Sequence, residues 1–215
     1  MINNEAIVEN YIHANMNEED EILKELERYT YLNVLRPRML SGHIQGTFLR
    51  FVCEMINPQK VLEIGTFTGY SAICMAKGTS ANTIIDTVEI NDELEPLIRK
   101  FLKKAEVDKK VNLHIGNALE ITDTIVGDFN LIFIDGDKRE YPNYYNKFIE
   151  RVSPGGWIIA DNTLWSGKVT DISVRESDPQ TKGIVEFNKI VKQDPRTENV
   201  ILPVRDGLTI IKKIV

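Results

Sequence analysis

From Lys60 to Ala160 the chain alternates short apolar runs with stretches of helical periodicity, an order that few architectures accommodate. The runs Lys60–Ile64, Thr83–Ile90, Val111–Ile115, Asn130–Ile134 and Trp157–Ala160 have the length of buried strands. Helical patterns occupy the gaps at Tyr70–Ala76, Asp92–Glu106, Leu119–Val126 and Pro142–Val152. Two parallel neighbours need a crossover of this kind, so the order predicts a mostly parallel sheet covered by its own connections. The tail breaks the rhythm. A polar stretch after Trp165 leads to a helix over Thr181–Val191, and then Val200–Val204 and Leu208–Ile214 flank Arg205, Asp206 and Gly207 as an antiparallel hairpin closing the sheet.

Ahead of this repeat, Glu5–Leu35 reads as two amphipathic helices, the second with Ile22, Leu23, Leu26 and Tyr29 on one stripe. After Arg36 and Pro37 a third helix carries Ile44, Phe48, Phe51, Val52, Met55 and Ile56 until Asn57 and Pro58 stop it. No Gly-, Pro- or Ser-rich linker divides the 215 residues, of which 42% are hydrophobic. One domain over 1–215 is therefore expected, with helices in 1–57 capping a core in 60–215. Cys53 and Cys74 lie in apolar helical patterns and read as buried thiols. The opening MINNEAIVEN has no basic segment followed by an apolar run, and no stretch reaches bilayer-spanning length, so no membrane association and a cytoplasmic location are expected.

The segment VLEIGTFTGYS, residues 61–71, runs from a buried strand through a turn into a helix. Gly65 and Gly69 let the backbone turn and approach a ligand, and Glu63 ends the strand with a carboxylate. A dinucleotide loop needs a middle glycine to admit the pyrophosphate, whereas here Thr66, Phe67 and Thr68 separate the two. That counts against a nicotinamide-dependent oxidoreductase. Glu89, ending the next strand, is placed to accept hydrogen bonds from two ribose hydroxyls.

A second constellation follows. FIDGDKREYPNYY, residues 133–145, sets Asp135, Asp137 and Lys138 just past one strand, and IIADNTLWSG, residues 158–167, sets Asp161 and Asn162 past the next. In a parallel sheet both ends border one crevice. Asp135, Asp161 and Asn162 then offer three hard oxygen donors, a set suited to Mg2+ or another divalent cation rather than zinc. The histidines His13, His43 and His114 are scattered and complete no ligand pattern. Two adjacent phenolic oxygens could chelate such a cation, and Lys138 stands ready as the base for the ionising hydroxyl.

The glycine loop together with Glu89 resembles the cofactor site of class I methyltransferases, and Gly116, Asn117 and Ala118 resemble the segment beside that cofactor's adenine. Many relatives carry Asp where Asn117 stands. Asp135, Lys138, Asp161 and Asn162 resemble the metal and base residues of the cation-dependent catechol and caffeoyl-coenzyme A O-methyltransferases. The likeness runs from the Arg-Pro-Arg-Met-Leu-Ser segment at Arg36 to LPVRDGLTIIKKI near the terminus. It implies an α/β, Rossmann-like three-layer sandwich with a mostly parallel seven-stranded sheet, an antiparallel last strand and helices on both faces. It also implies S-adenosylmethionine as methyl donor, S-adenosylhomocysteine as product, and cofactor contacts at Ser41, Glu63, Gly65, Thr66, Ser71, Glu89, Ala118, Asp135 and Asp137. The expected activity is methyl transfer to one hydroxyl of a small aromatic vicinal diol by a homodimer. Arg205 departs from the pattern, since relatives commonly have Gly before the Asp-Gly pair.

Trp165 and Ser166 are the residues expected to meet the substrate, while Tyr141 and Tyr144 either wall its ring or fill the core. The polar stretch 168–182 is a surface loop or a flap over the site. An alternative substrate is hydroxylated uridine in transfer RNA. The formal net charge of −6 favours a small molecule, although Arg36, Arg38 and Arg50 could form a local basic patch.

Overall fold

A computed structural model describes residues 4–215. Met1–Asn3, which begin the segment read as free of a targeting signal, lie outside the described residues. Three helices open the chain: α1 (Asn4–Ala14), α2 (Glu21–Asn33) and α3 (Gly42–Ile56). The alternating part follows as β1 (Lys60–Ile64), α4 (Tyr70–Lys77), β2 (Ile84–Glu89), α5 (Glu95–Lys104), β3 (Val111–Ile115), α6 (Ala118–Ile121), β4 (Phe129–Ile134), α7 (Tyr141–Phe148) and β5 (Val152–Asp161). It ends with α8 (Ile172–Ser177), α9 (Pro179–Gln193), β6 (Thr197–Leu202) and β7 (Leu208–Lys213). Among the described residues no helix is long and apolar enough to cross a membrane.

The strands form one seven-stranded sheet in the order β3-β2-β1-β4-β5-β7-β6. Strands β1 to β5 pair in parallel, and β7 is inserted antiparallel between β5 and β6. Successive side chains of a strand point to opposite faces, and that period of two separates the core into two layers. Val61, Leu131 and Phe133 pack with Leu26, Leu49, Ile73 and Phe101 from α2 to α5. Leu62, Ile132 and Ile134 pack with Tyr145, Phe148 and Phe187 from α7 and α9. The expected three-layer sandwich is thus observed, with α2 and α3 helping to cover the first face.

Departures from the expected elements have local causes. The helix expected over Leu119–Val126 stops after Ile121 and tightens into a 3-10 turn at Thr122–Thr124. There Thr122 Oγ1 donates to the Ala118 carbonyl at 2.7 Å, a side-chain bond that competes with the helical ladder. β5 begins at Val152, ahead of the expected Trp157, because Val152 pairs with Phe129 before the register shifts and resumes at Trp157. Pro154 lies in that irregularity, where its missing N–H breaks no ladder bond. The stretch 168–182 is not an open loop but holds α8 and the start of α9. Asp171 and Asp178 cap these helices, accepting from the backbone N–H of Ser173 and Gln180.

Helix α9 carries Thr181, Gly183, Ile184, Phe187 and Val191 on its buried face, and it seats the turn bearing Lys138. A Cβ on Gly183 would lie 2.3 Å from the Lys138 carbonyl oxygen. The Gly183→Ala variant is therefore expected to lose about 1–3 kcal/mol of stability, as overpacked interiors do, seen as a lower urea midpoint with an unchanged slope.

Candidate active site

The carboxyl ends of β1, β2, β4 and β5 converge where the strand order reverses between β1 and β4, the position at which open α/β sheets bind ligands. After β1 the chain turns at Gly65 (φ +96°), whose N–H donates to the Val88 carbonyl at 3.0 Å. A Cβ at Gly65 would come within 2.1 Å of the Asp135 carbonyl, so only glycine lets the loops after β1 and β4 meet. Ser41, Gly65, Thr66, Phe67, Ser71 and Asp135 line one crevice at this junction. Gly69 (φ +93°) starts α4 in a left-handed conformation.

Glu63 is fully buried and its Oε1 has no hydrogen-bond partner, while Oε2 accepts from the Thr87 hydroxyl. Burial, reinforced by the charges of Asp135 and Glu89, pushes its carboxyl up to about 8 against the hydrogen bonds that favour the ion. At the end of β2, Glu89 accepts from the backbone N–H of Phe67 at 2.6 Å and of Asn91 at 2.9 Å. Its carboxyl is also raised by burial. Asn117 caps α6 through the Leu119 N–H at 2.9 Å, and Ala118 is buried beside it. Asp137 is engaged by Arg139 rather than by these groups. Arg139 grips both of its oxygens and holds its carboxyl below the usual range.

Beyond β4, Lys138 is buried and donates to Asp135 Oδ1 at 2.9 Å and to the Tyr141 hydroxyl at 2.6 Å. Tyr141 donates in turn to the Asp161 carbonyl at 2.9 Å, and burial keeps this phenol neutral by raising it well above its ordinary range. Asp161 is raised by burial first and by the charge of Asp135 second. Its Oδ1 accepts the Asn162 N–H at 2.7 Å and its Oδ2 the Gln45 amide at 2.8 Å. Asn162 sits in the left-handed region (φ +57°). Trp165 and Ser166 also have positive φ, and the Trp165 ring centroid is 6.0 Å from Lys138 Nζ. Trp165 Nε1 is buried without an acceptor.

Among the described residues no three His, Cys, Asp or Glu side chains gather as a metal-ligand group. The expected set has only two carboxylates, its third donor being the Asn162 amide. The donor chemistry nevertheless fits a hard divalent cation: burial and the charge of Asp135 raise the cost of ionising Asp161, and Lys138 bonds Asp135 beside it. The carbonyl oxygen of an amide completes an all-oxygen set.

Sheet order, glycine loop and acidic strand ends together define a Rossmann-like methyltransferase. Solved chains share the arrangement: an O-methyltransferase from Bacillus cereus in complex with S-adenosylhomocysteine aligns with TM-score 0.89 and 28% identity, covering 96% of this chain and 97% of that one. The S-adenosylhomocysteine-bound Podospora anserina methyltransferase PaMTH1 aligns with TM-score 0.90 and 27% identity over 99% and 97% of the two chains. The sequence profile of the O-methyltransferase family matches residues 13–214, and a caffeoyl-CoA O-methyltransferase of Medicago sativa is 36% identical over 206 residues, 91% of this chain and 83% of that one. The chain belongs to the O-methyltransferase family and is an S-adenosylmethionine-dependent enzyme.

The structure brings Ser41, Gly65, Thr66, Ser71 and Asp135 to one crevice. Glu63 connects to it through Thr87 and Thr66, Glu89 through the Phe67 N–H, Lys138 through Asp135, and Asp161 through the Tyr141 hydroxyl it shares with Lys138, while Asp137 pairs with Arg139. Tyr141 and Tyr144 belong to the core, although the Tyr141 hydroxyl reaches Lys138. Sequence reasoning missed Gln45. Its one visible signal was an amide at a position between Ile44 and Phe48 on an otherwise apolar helix.

Because the Glu63 carboxyl is raised from 4.5 to about 8 in the fold, the unliganded chain is expected to lose stability as pH rises through that interval. An unfolded Glu63 ionises first and draws the equilibrium toward itself. In Glu63→Gln this loss is absent, so its thermal midpoint should gain on the unsubstituted chain between about pH 4.5 and about pH 8. A constant difference across that range would mean that Glu63 ionises normally.

Proposed function

We propose that this enzyme methylates one hydroxyl of a small catechol- or caffeoyl-type vicinal diol, with a divalent cation held by Asp135, Asp161 and Asn162. The observation that carries the reading is the placement of Asp135, bonded to the buried Lys138, close enough to Asp161 for its charge to disfavour ionisation of that buried carboxyl, at the carboxyl ends of β4 and β5. Such a cation, when bound, supplies positive charge that favours the ionised hydroxyl and a template that two vicinal oxygens can share. In this reading Glu89 receives the ribose hydroxyls, Asn117 and Ala118 border the adenine, and Ser41, Glu63, Gly65, Thr66, Gly69, Ser71 and Asp135 surround the methionine part of the donor. Asp137 is assigned to the same site but needs Arg139 to release it.

Lys138, as its free amine, takes the proton of the reacting hydroxyl. The phenolic oxygen then attacks the methyl carbon, the new C–O bond forming as the C–S bond breaks and its electron pair returns to sulfur. Asp135 and Tyr141 hold the Lys138 nitrogen in place for that transfer. Trp165 offers a ring face beside Lys138 for an aromatic substrate, and the backbone at Ser166 completes the mouth. A small molecule suits the surroundings. The cleft of about 720 Å³ that borders Ser41 and Arg38 is walled by Glu9, Glu18, Glu19 and Glu27, which repel a polyanion such as RNA. Residues 1–215 are taken as one methyltransferase domain working as a cytoplasmic homodimer, and the exposed Val8 and Tyr11 on α1, Leu32 on α2 and Leu35 just past it support the dimer.

Incubation with labelled S-adenosylmethionine and a panel of catechols, caffeoyl esters and transfer RNA tests the reading. Labelling of diols that chelator removes and Mg2+ restores is expected, with Asp161→Ala inactive. Labelling of transfer RNA alone would overturn the substrate, and activity surviving both chelator and Asp161→Ala would overturn the metal role. Lys138→Arg keeps the charge but cannot deprotonate, so kcat should fall by about 10²–10⁴-fold.

A further inference from the structure

We propose that Arg205 is a positioning residue that acts through Gln45 to fix the carboxylate of Asp161. The inference rests on the reading of Asp161 as a metal ligand. Arg205 lies in the turn between β6 and β7 with φ +50°, and among the described residues it forms no ion pair. Its donors go to neutral acceptors instead. Nη1 reaches the Ser41 carbonyl and, at 2.8 Å, Gln45 Oε1, while Nη2 lies 3.4 Å from the Leu40 carbonyl. Gln45 is 1% exposed and passes the connection inward, its Nε2 donating to Asp161 Oδ2 at 2.8 Å.

Only one orientation of the Gln45 amide serves both neighbours. A guanidinium only donates and a carboxylate only accepts, so the amide oxygen must face Arg205 and the amide nitrogen Asp161. With Oδ1 already bonded to the Asn162 N–H, both oxygens of Asp161 are fixed and the plane of the carboxylate is set. The positive charge of Arg205 also polarises the amide and strengthens its N–H as a donor.

The same turn holds the segment that follows Asp161. The Thr163 N–H donates to the Gly207 carbonyl at 3.0 Å and the Leu164 N–H to the Asp206 carbonyl at 2.9 Å. The Ser166 N–H donates to the Asp206 carboxylate. Residues 205–207 therefore grip both sides of Asp161–Asn162: one through Arg205 and Gln45, the other through the backbone of Thr163 to Ser166. An outer partner of this kind typically changes metal affinity by about 10–100-fold when removed.

The test uses Arg205→Gly, Gln45→Ala and the double variant. Glycine accepts the positive φ at position 205 readily, so loss of the side chain is separated from backbone strain. Mn2+ binding is read by electron paramagnetic resonance of the free ion, S-adenosylhomocysteine binding by calorimetry, and folding by thermal unfolding. Each single variant is expected to bind Mn2+ about tenfold more weakly, and the double variant no more weakly than the worse single one, because the two residues act in series. S-adenosylhomocysteine affinity should stay within about threefold. Mn2+ affinities of both single variants within about twofold of the unsubstituted chain would overturn the proposal, as would losses that multiply in the double variant. A lowered unfolding midpoint with unchanged Mn2+ affinity gives Arg205 a structural role only and overturns it too. Should Arg205→Gly fail to fold, Arg205→Met, which removes the donors and keeps the length of the side chain, takes its place in the same comparison with the same expectation. If the unsubstituted chain binds no Mn2+, the metal reading itself falls; if it binds Mn2+ and the variants match it, only the role of Arg205 is lost.

Discussion

Where β1 and β4 leave the sheet, the backbone at Gly65 comes so near the Asp135 carbonyl that a methyl group could not stand between them. This contact brings two functional loops together, one bearing the glycine turn of the donor site and the other bearing Asp135 and Lys138. It depends on the sheet beneath. Leu62, Leu131, Ile132 and Phe133 are each fully buried, and side chains of this kind contribute about 1.5–3 kcal/mol apiece on leaving water. A junction fixed by paired strands can hold reacting groups more firmly than a free loop can.

The apolar foundation also permits an unusual density of acid. Glu63, Glu89 and Asp161 are all raised by burial, and the charge of Lys138, bonded to Asp135, opposes that rise at Asp161. Burying carboxylates without full compensation costs stability, and the unpartnered Oε1 of Glu63 shows where that cost falls. The excess of negative charge has a chemical sense in an enzyme whose donor is a sulfonium. A positively charged ligand in the crevice favours the ionised forms that burial disfavours. Binding and stability are thereby linked through the same groups.

The sheet was legible because its strands state their period twice over. Leu131 to Ile134 alternate between two buried faces, and the glycine loop and the DGDK and DN segments sit where each strand must end. What could not be read were contacts made by side chains far apart in sequence. Gln45 and Asp161 are separated by 116 residues, and no local pattern marks an amide as the partner of a distant carboxylate. Arg205 was visible only as a departure, without a direction. The 168–182 segment was misread for another reason. Its polar composition resembles a loop, and the capping roles of Asp171 and Asp178 outweigh that composition once α9 has an apolar face to dock.

The left-handed residues around the mouth fit this account of distant support. Asn162, Trp165 and Ser166 all have positive φ, a conformation that costs a side-chain-bearing residue free energy and persists only where surrounding contacts impose it. Here the imposing contacts are the Asp206 carboxylate on the Ser166 N–H, the Gly207 carbonyl on the Thr163 N–H, and the Asn188 amide, which donates to the Thr163 carbonyl at 3.0 Å. They come from the closing hairpin and from α9, elements that contribute no residue to the DGDK or DN segments. The antiparallel strand β7 thus does more than finish the sheet. By returning alongside β5 it places the Arg205–Gly207 turn against the carboxyl end of β5, and a parallel strand in the same position would have carried that turn to the opposite end of the strands.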